Sequence, residues 1–185
     1  MNVKGTALTA VKDFIETTFG ADGLARWLAA LPPASREIME GRLMSNQWYP
    51  FVDGLIVPEQ QLCKLFFDGS PRGAWEEARY KAEVALKGIY RSFIRVATPE
   101  FLLRNAHIIL EAYFTGVEVK ILENTKGRFL LRFYKVDPPS EVFDHILCGW
   151  IERAMEICGC QNLRVAALQP GTITREFTEI LVTWG

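Results

Sequence analysis

Only two histidines, His107 and His145, stand among 185 residues, so imidazole acid–base catalysis or metal ligation must run through one of them. His107 lies among Ala106, Ile108 and Ile109, a setting that suits a haem axial ligand as well as a satisfied core histidine. His145 shares its expected helix face with Glu141, Cys148 and Glu152 at spacings of three and four. Such a set could hold a metal ion; a helix covered by a partner, or a plain solvated face, explains it equally. Cys63, Cys148, Cys158 and Cys160 are irregularly spaced, and Cys158-Gly159-Cys160 has no second Cys or His pair, so reduced, hydrophobe-like thiols are expected. Gly-x-Ser-x-Gly, Gly-x-x-x-x-Gly-Lys and Gly-x-Gly-x-x-Gly are all absent, which removes the readiest enzyme readings.

Large amphipathic rings gather in the first half of the chain: Trp27, Trp48, Tyr49, Trp75, Tyr80, Tyr90 and Tyr113. They could line an apolar pocket or a subunit interface, or fill an ordinary core. From these rings the candidate ligand-binding residues are Trp48, Tyr49, Trp75, Tyr90 and Tyr113, with His107 beside them.

The elements that must position these groups follow from periodicity. Ala7, Leu8, Val11, Phe14, Ile15 and Phe19 keep helical spacing until Gly20. A shorter helix then runs to Pro32-Pro33, and a third runs from Ser35 to near Gly41. Phe51 to Phe67 reads as a helix split by Gly54 and Pro58. From Ala74 a long helix carries Trp75, Ala78, Ala82, Ala85, Leu86, Ile89 and Phe93 on one stripe. Its other face pairs Glu77 with Lys81 and Glu83 with Lys87, the order expected of a solvated helix surface. Thr98-Pro99-Glu100 opens a further helix that reaches Gly116, and up to that point the chain reads as helix throughout.

The period then drops to two. Val117 to Ile121 and Phe129 to Tyr134 form a hairpin around Asn124-Thr125-Lys126-Gly127. Ser140 caps a broad-striped helix ending at Gly159, and a second hairpin, 163–168 with 174–184, turns at Gln169-Pro170-Gly171. The fold class is thus α+β, with a helical part (about 1–115) and an antiparallel strand-strand-helix-strand-strand unit (about 116–185) in a single domain, 1–185.

A hydrophobic share of 49% with 23% charged residues is that of a folded protein, and 21 basic against 22 acidic residues leave no field to gather nucleic acid. Arg91, Arg95 and Arg104 are scattered among acids and apolar residues, so no nucleic-acid platform forms. Neither a signal-like apolar run nor a membrane-length segment occurs, and a cytoplasmic setting is expected.

This order of elements resembles the superfamily that joins haem nitric-oxide/oxygen-binding domains, 4-vinyl reductase-type domains and TRAPP vesicle-tethering subunits. The runs Val3-Lys4-Gly5-Thr6, Trp48-Tyr49-Pro50, Gly88-Ile89-Tyr90-Arg91 and Val182-Thr183-Trp184 look like an uncharacterised bacterial family, common in myxobacteria, that shares this fold. The haem branch implies a proximal histidine in the helix before the sheet, where His107 is available. It also implies a Tyr-x-Ser-x-Arg motif, which would fall on Tyr134-Lys135-Val136-Asp137-Pro138 and keep only the tyrosine. The TRAPP branch implies an acylated cysteine in the helical part, a position that only Cys63 could fill.

The main expectation is a non-catalytic sensory or scaffold domain, a homodimer that binds a small apolar ligand or a protein partner with no cofactor. The alternatives are a haem-based gas sensor using His107 and a metal protein using Glu141, His145, Cys148 and Glu152.

Overall fold

The computed structural model describes residues 1–87, 98–168 and 176–185. β1 (Asn2–Lys4) leads directly into helix α1 (Gly5–Ala30). The break expected at Gly20 is a kink inside α1, where Gly20 takes φ 73°, a conformation that only glycine adopts without strain. Helix α2 (Pro33–Glu40) and strand β2 (Trp48–Pro50) follow. A π-helical turn (Val52–Ile56) then passes into α3 (Val57–Phe66), which is the split expected at Gly54 and Pro58. Helix α4 (Arg72–Lys87) is the long helix; its expected continuation through Ile89 and Phe93 lies outside the described residues.

Thr98 Oγ1 accepts a hydrogen bond from the Phe101 amide at 3.2 Å, giving α5 (Pro99–Arg104) the cap read from its sequence. A break at Asn105 separates it from α6 (Ala106–Tyr113), where one unbroken helix was expected.

The expectation of a purely helical first part is also corrected. β1 pairs antiparallel with β2 and with β3 (Phe114–Thr115), so Val3 lies opposite both Tyr49 and Phe114 in a small sheet ordered β2-β1-β3. Strands of two or three residues are too short to show a period of two, which is why periodicity passes over them.

The second sheet is ordered β4-β5-β7-β6, from β4 (Glu118–Thr125), β5 (Arg128–Tyr134), β6 (Arg164–Ala167) and β7 (Phe177–Thr183), every pair antiparallel. Both expected hairpins are present, although the 169–171 turn lies outside the described residues. Phe129, Leu131, Phe133, Ile180 and Val182 form the buried face of this sheet. Helix α7 (Glu141–Ile157) turns Val142, Phe143, Ile146, Leu147, Ile151 and Ala154 into the same core. Ser140 stands at its N-cap without a side-chain bond.

The closest helix contact is α4 on α7. A Cβ at Gly149 would stand 2.3 Å from the Trp75 carbonyl oxygen, so only glycine lets these two backbones meet. Arg79 and Arg153 rivet the same contact, Arg79 to Glu152 and Glu156, Arg153 to Glu83 and Glu156. Among the described residues no helix is long and apolar enough to cross a membrane.

Candidate functional site

Between α1, α4, α5, α6 and α7 lies a cavity of about 460 Å³. Small side chains make the room: Ala7 and Ala10 on α1, Ala85 on α4 and Ala106 on α6. Leu55, Leu102, Leu103, Ile109, Leu110, Phe133, Ile146 and Trp150 give it apolar walls. Its polar wall residues are few: Thr6, Thr9, Asp13, Ser45, Lys81 and Tyr113. The two threonine hydroxyls are already spent, Thr6 Oγ1 on Ser45 O at 2.8 Å and Thr9 Oγ1 on Gly5 O at 3.2 Å. A concave apolar site with sparse polar groups binds small apolar molecules.

The helical pitch of α6 decides which of its side chains take part. Ala106, Ile109, Leu110 and Tyr113 repeat at three and four residues and face the cavity. His107, about 100° around the helix from Ala106, is exposed and borders a separate cavity of about 180 Å³ with Glu111, Glu118 and Lys120.

Of the residues singled out from the sequence, Tyr113 lies on the main wall. Tyr90 lies outside the described residues. Trp48 is exposed, with Lys4 Nζ 4.3 Å from its ring centroid. Tyr49 accepts the Met44 amide at 2.9 Å through its hydroxyl. Trp75 donates its indole N–H to Glu152 Oε2 at 3.2 Å in the contact between α4 and α7. Cys63 is buried beside Gly73, and burial pushes its thiol up to about 11. Tyr134 lies on the face of the sheet away from the core, beside Lys120 and Arg132.

The metal alternative on α7 comes apart. Cys148 is buried and its thiol is pushed up to about 12 by that burial. Glu152 is committed to Arg79 and Trp75, and His145 Nδ1 sits 2.9 Å from the Glu141 carbonyl oxygen of its own helix. Among the described residues no group of three metal-ligating side chains converges.

The face of α4 read as solvated is corrected too. Glu77 is fully buried, and Lys81 reaches from it to Glu59 of α3. The sequence shows an ordinary i, i+4 pair, and only the third partner, 22 residues away, reveals the burial.

Compared with known proteins, the sequence matches no family model and no curated protein. Solved structures do match along its length. An Fe(II) unliganded H-NOX protein from K. algicida superimposes with a TM-score of 0.76 at 15% identity, over 98% of this chain and 96% of that one. An H-NOX protein from S. oneidensis in the Fe(II)NO state gives 0.76 at 11%, over 98% and 99%. A third, solved to probe haem distortion in the H-NOX family, gives 0.70 at 12%, over 98% and 94%. The fold is that of the H-NOX proteins. The haem branch of the resemblance thus gains structural support, while the finer likeness to a myxobacterial-type family rests on its local runs alone.

The same finding overturns the expectation of no cofactor, because chains that share this fold from end to end are iron and haem proteins. The H-NOX-fold cavity suits the body of a porphyrin in its size and apolar walls. For the iron, the described wall offers no histidine, cysteine or methionine, and Tyr113 is its one side chain of a type that ligates haem.

Proposed function

We propose that the chain is a non-catalytic sensory domain of the H-NOX fold whose cavity takes up a haem-sized apolar ligand, haem before others. One observation supports this above the rest: the apolar cavity of about 460 Å³ lies in the helical part of a fold shared with haem-iron proteins over 98% of the chain. Leu102, Leu103, Ile109, Leu110 and Phe133 would enclose the macrocycle, and Tyr113 would be the wall residue able to meet its iron. Lys81 is the one cation on the described wall, the natural neighbour of an acidic group on the ligand. Bound haem would supply an iron coordination position for a diatomic gas.

Haem-supplemented expression followed by absorption spectroscopy tests the reading. A Soret band is expected in the wild type and in His107→Ala, shifted in Tyr113→Phe and lost in Ala106→Trp, which fills the cavity. Colourless protein at full haem supply would overturn it, and loss of the band in His107→Ala alone would move the iron to the smaller cavity. Native mass spectrometry of the same sample reads the subunit count, for which we propose two, and identifies any retained ligand.

A further inference from the structure

The charges buried between α3 and α4 do not balance. Glu59 of α3 and Glu77 of α4 have no exposed surface, and Lys81, one turn beyond Glu77, is the cation between them. Its ammonium lies 2.8 Å from Glu77 Oε2 and 3.2 Å from Glu59 Oε1. Glu59 Oε2 and Glu77 Oε1 are buried and meet no donor. Each would carry a heavy desolvation cost if both carboxylates were ionised.

Among the described residues the surroundings bring no second cation. On α3, Cys63 is a neutral thiol; on α1, Asp13 adds another acid to the cavity that Lys81 borders. On α7, Glu152 and Glu156 are held by Arg79 and Arg153, which are thereby engaged. Both carboxyl groups converge on the same ammonium, one from each helix, and each has an oxygen left over that is buried.

We propose that Glu59 and Glu77 hold one proton between them, and that this acid–carboxylate pair with Lys81 is a proton-binding latch joining α3 to α4 in the cavity wall. With the proton in place the cluster is neutral and every buried oxygen has a donor or a counter-charge. When the proton passes to bulk water, two carboxylates compete for one ammonium and the wall gains a negative charge. An acidic group on a ligand in the cavity is favoured by the protonated latch and disfavoured by the ionised one. Burial, followed by the Glu59 charge, holds the Glu77 carboxyl well above the usual carboxylate range, in keeping with this arrangement.

Infrared spectroscopy of the full, ligand-free chain tests the latch whether or not the cavity binds haem. A carboxylic-acid carbonyl stretch is expected at neutral pH. Sharing predicts that either Glu77→Gln or Glu59→Gln removes it, since the remaining carboxylate then has Lys81 to itself. Lys81→Met should keep the band and strengthen it. The wild-type melting temperature should fall as pH rises from mildly acidic to alkaline, while Glu77→Gln stays nearly flat. A wild-type spectrum without the band, or a band that survives both Gln variants, would overturn the proposal.

Discussion

Helix α4 meets two neighbours through charged side chains, and the two contacts manage charge in opposite ways. Toward α7, Arg79 and Arg153 answer Glu83, Glu152 and Glu156 with bonds of 2.8–3.1 Å, and every partner keeps 20–36% of its side-chain surface in solvent. Toward α3, Glu59 and Glu77 are sealed at 0% exposure, and among the described residues Lys81 alone answers them. Water and salt make up any shortfall in the first contact, whereas in the second only a proton can. The wet contact therefore resists changes of charge and depends on shape; the dry contact depends on charge.

The difference can be broken most severely at Lys81. Lys81→Met leaves the buried acid–carboxylate pair without its counter-charge, and denaturant unfolding at neutral pH should show a loss of roughly 3–5 kcal/mol, much reduced at acidic pH where the remaining carboxylate is protonated. Next comes Gly149→Ala, which tests the dependence on shape: its new Cβ meets the Trp75 carbonyl at 2.3 Å. The expected cost is roughly 1–3 kcal/mol, insensitive to both pH and salt. A smaller effect comes from wild-type titration. Because the folded value for Glu77 is raised, its contribution to stability is complete below the ordinary carboxyl range and is lost as pH climbs through the raised value. A thermal-melt series across pH should show that decline and its absence in Glu77→Gln. Smallest of all is Arg153→Gln on the solvated contact, at about 1 kcal/mol or less, and high salt should shrink the difference from wild type further.

How far the chain can be read in advance follows from the same contrast. Long periodic elements were legible: the stripes of α1 and α7, that of α4 over its described residues, the Thr98 cap of α5 and the alternation in β5 stand where their residues put them. The short sheet of β1, β2 and β3 was not, since two or three residues carry no period. In the candidate site, aromatic weight pointed to Trp48, Tyr49 and Trp75, which are bound up in surface and packing contacts. A cavity is instead made by what is small, and Ala7, Ala10, Ala85 and Ala106 become a signal only once three helices set them face to face. Tyr113 was legible as a candidate; the turning of His107 away from the cavity was set by helix phase after the break at Asn105.

The sequence by itself determined local order: which segments coil, which alternate, where Gly20 breaks α1 and where Thr98 starts α5. These depend on neighbours within a turn or two, and their energies are local. Tertiary structure alone decided that Glu77 is buried rather than solvated, that one lysine must serve two acids, and that alanines on separate helices enclose a ligand-sized space. Burial, charge balance and volume are properties of residues brought together from distant parts of the chain, and no spacing along the chain encodes them.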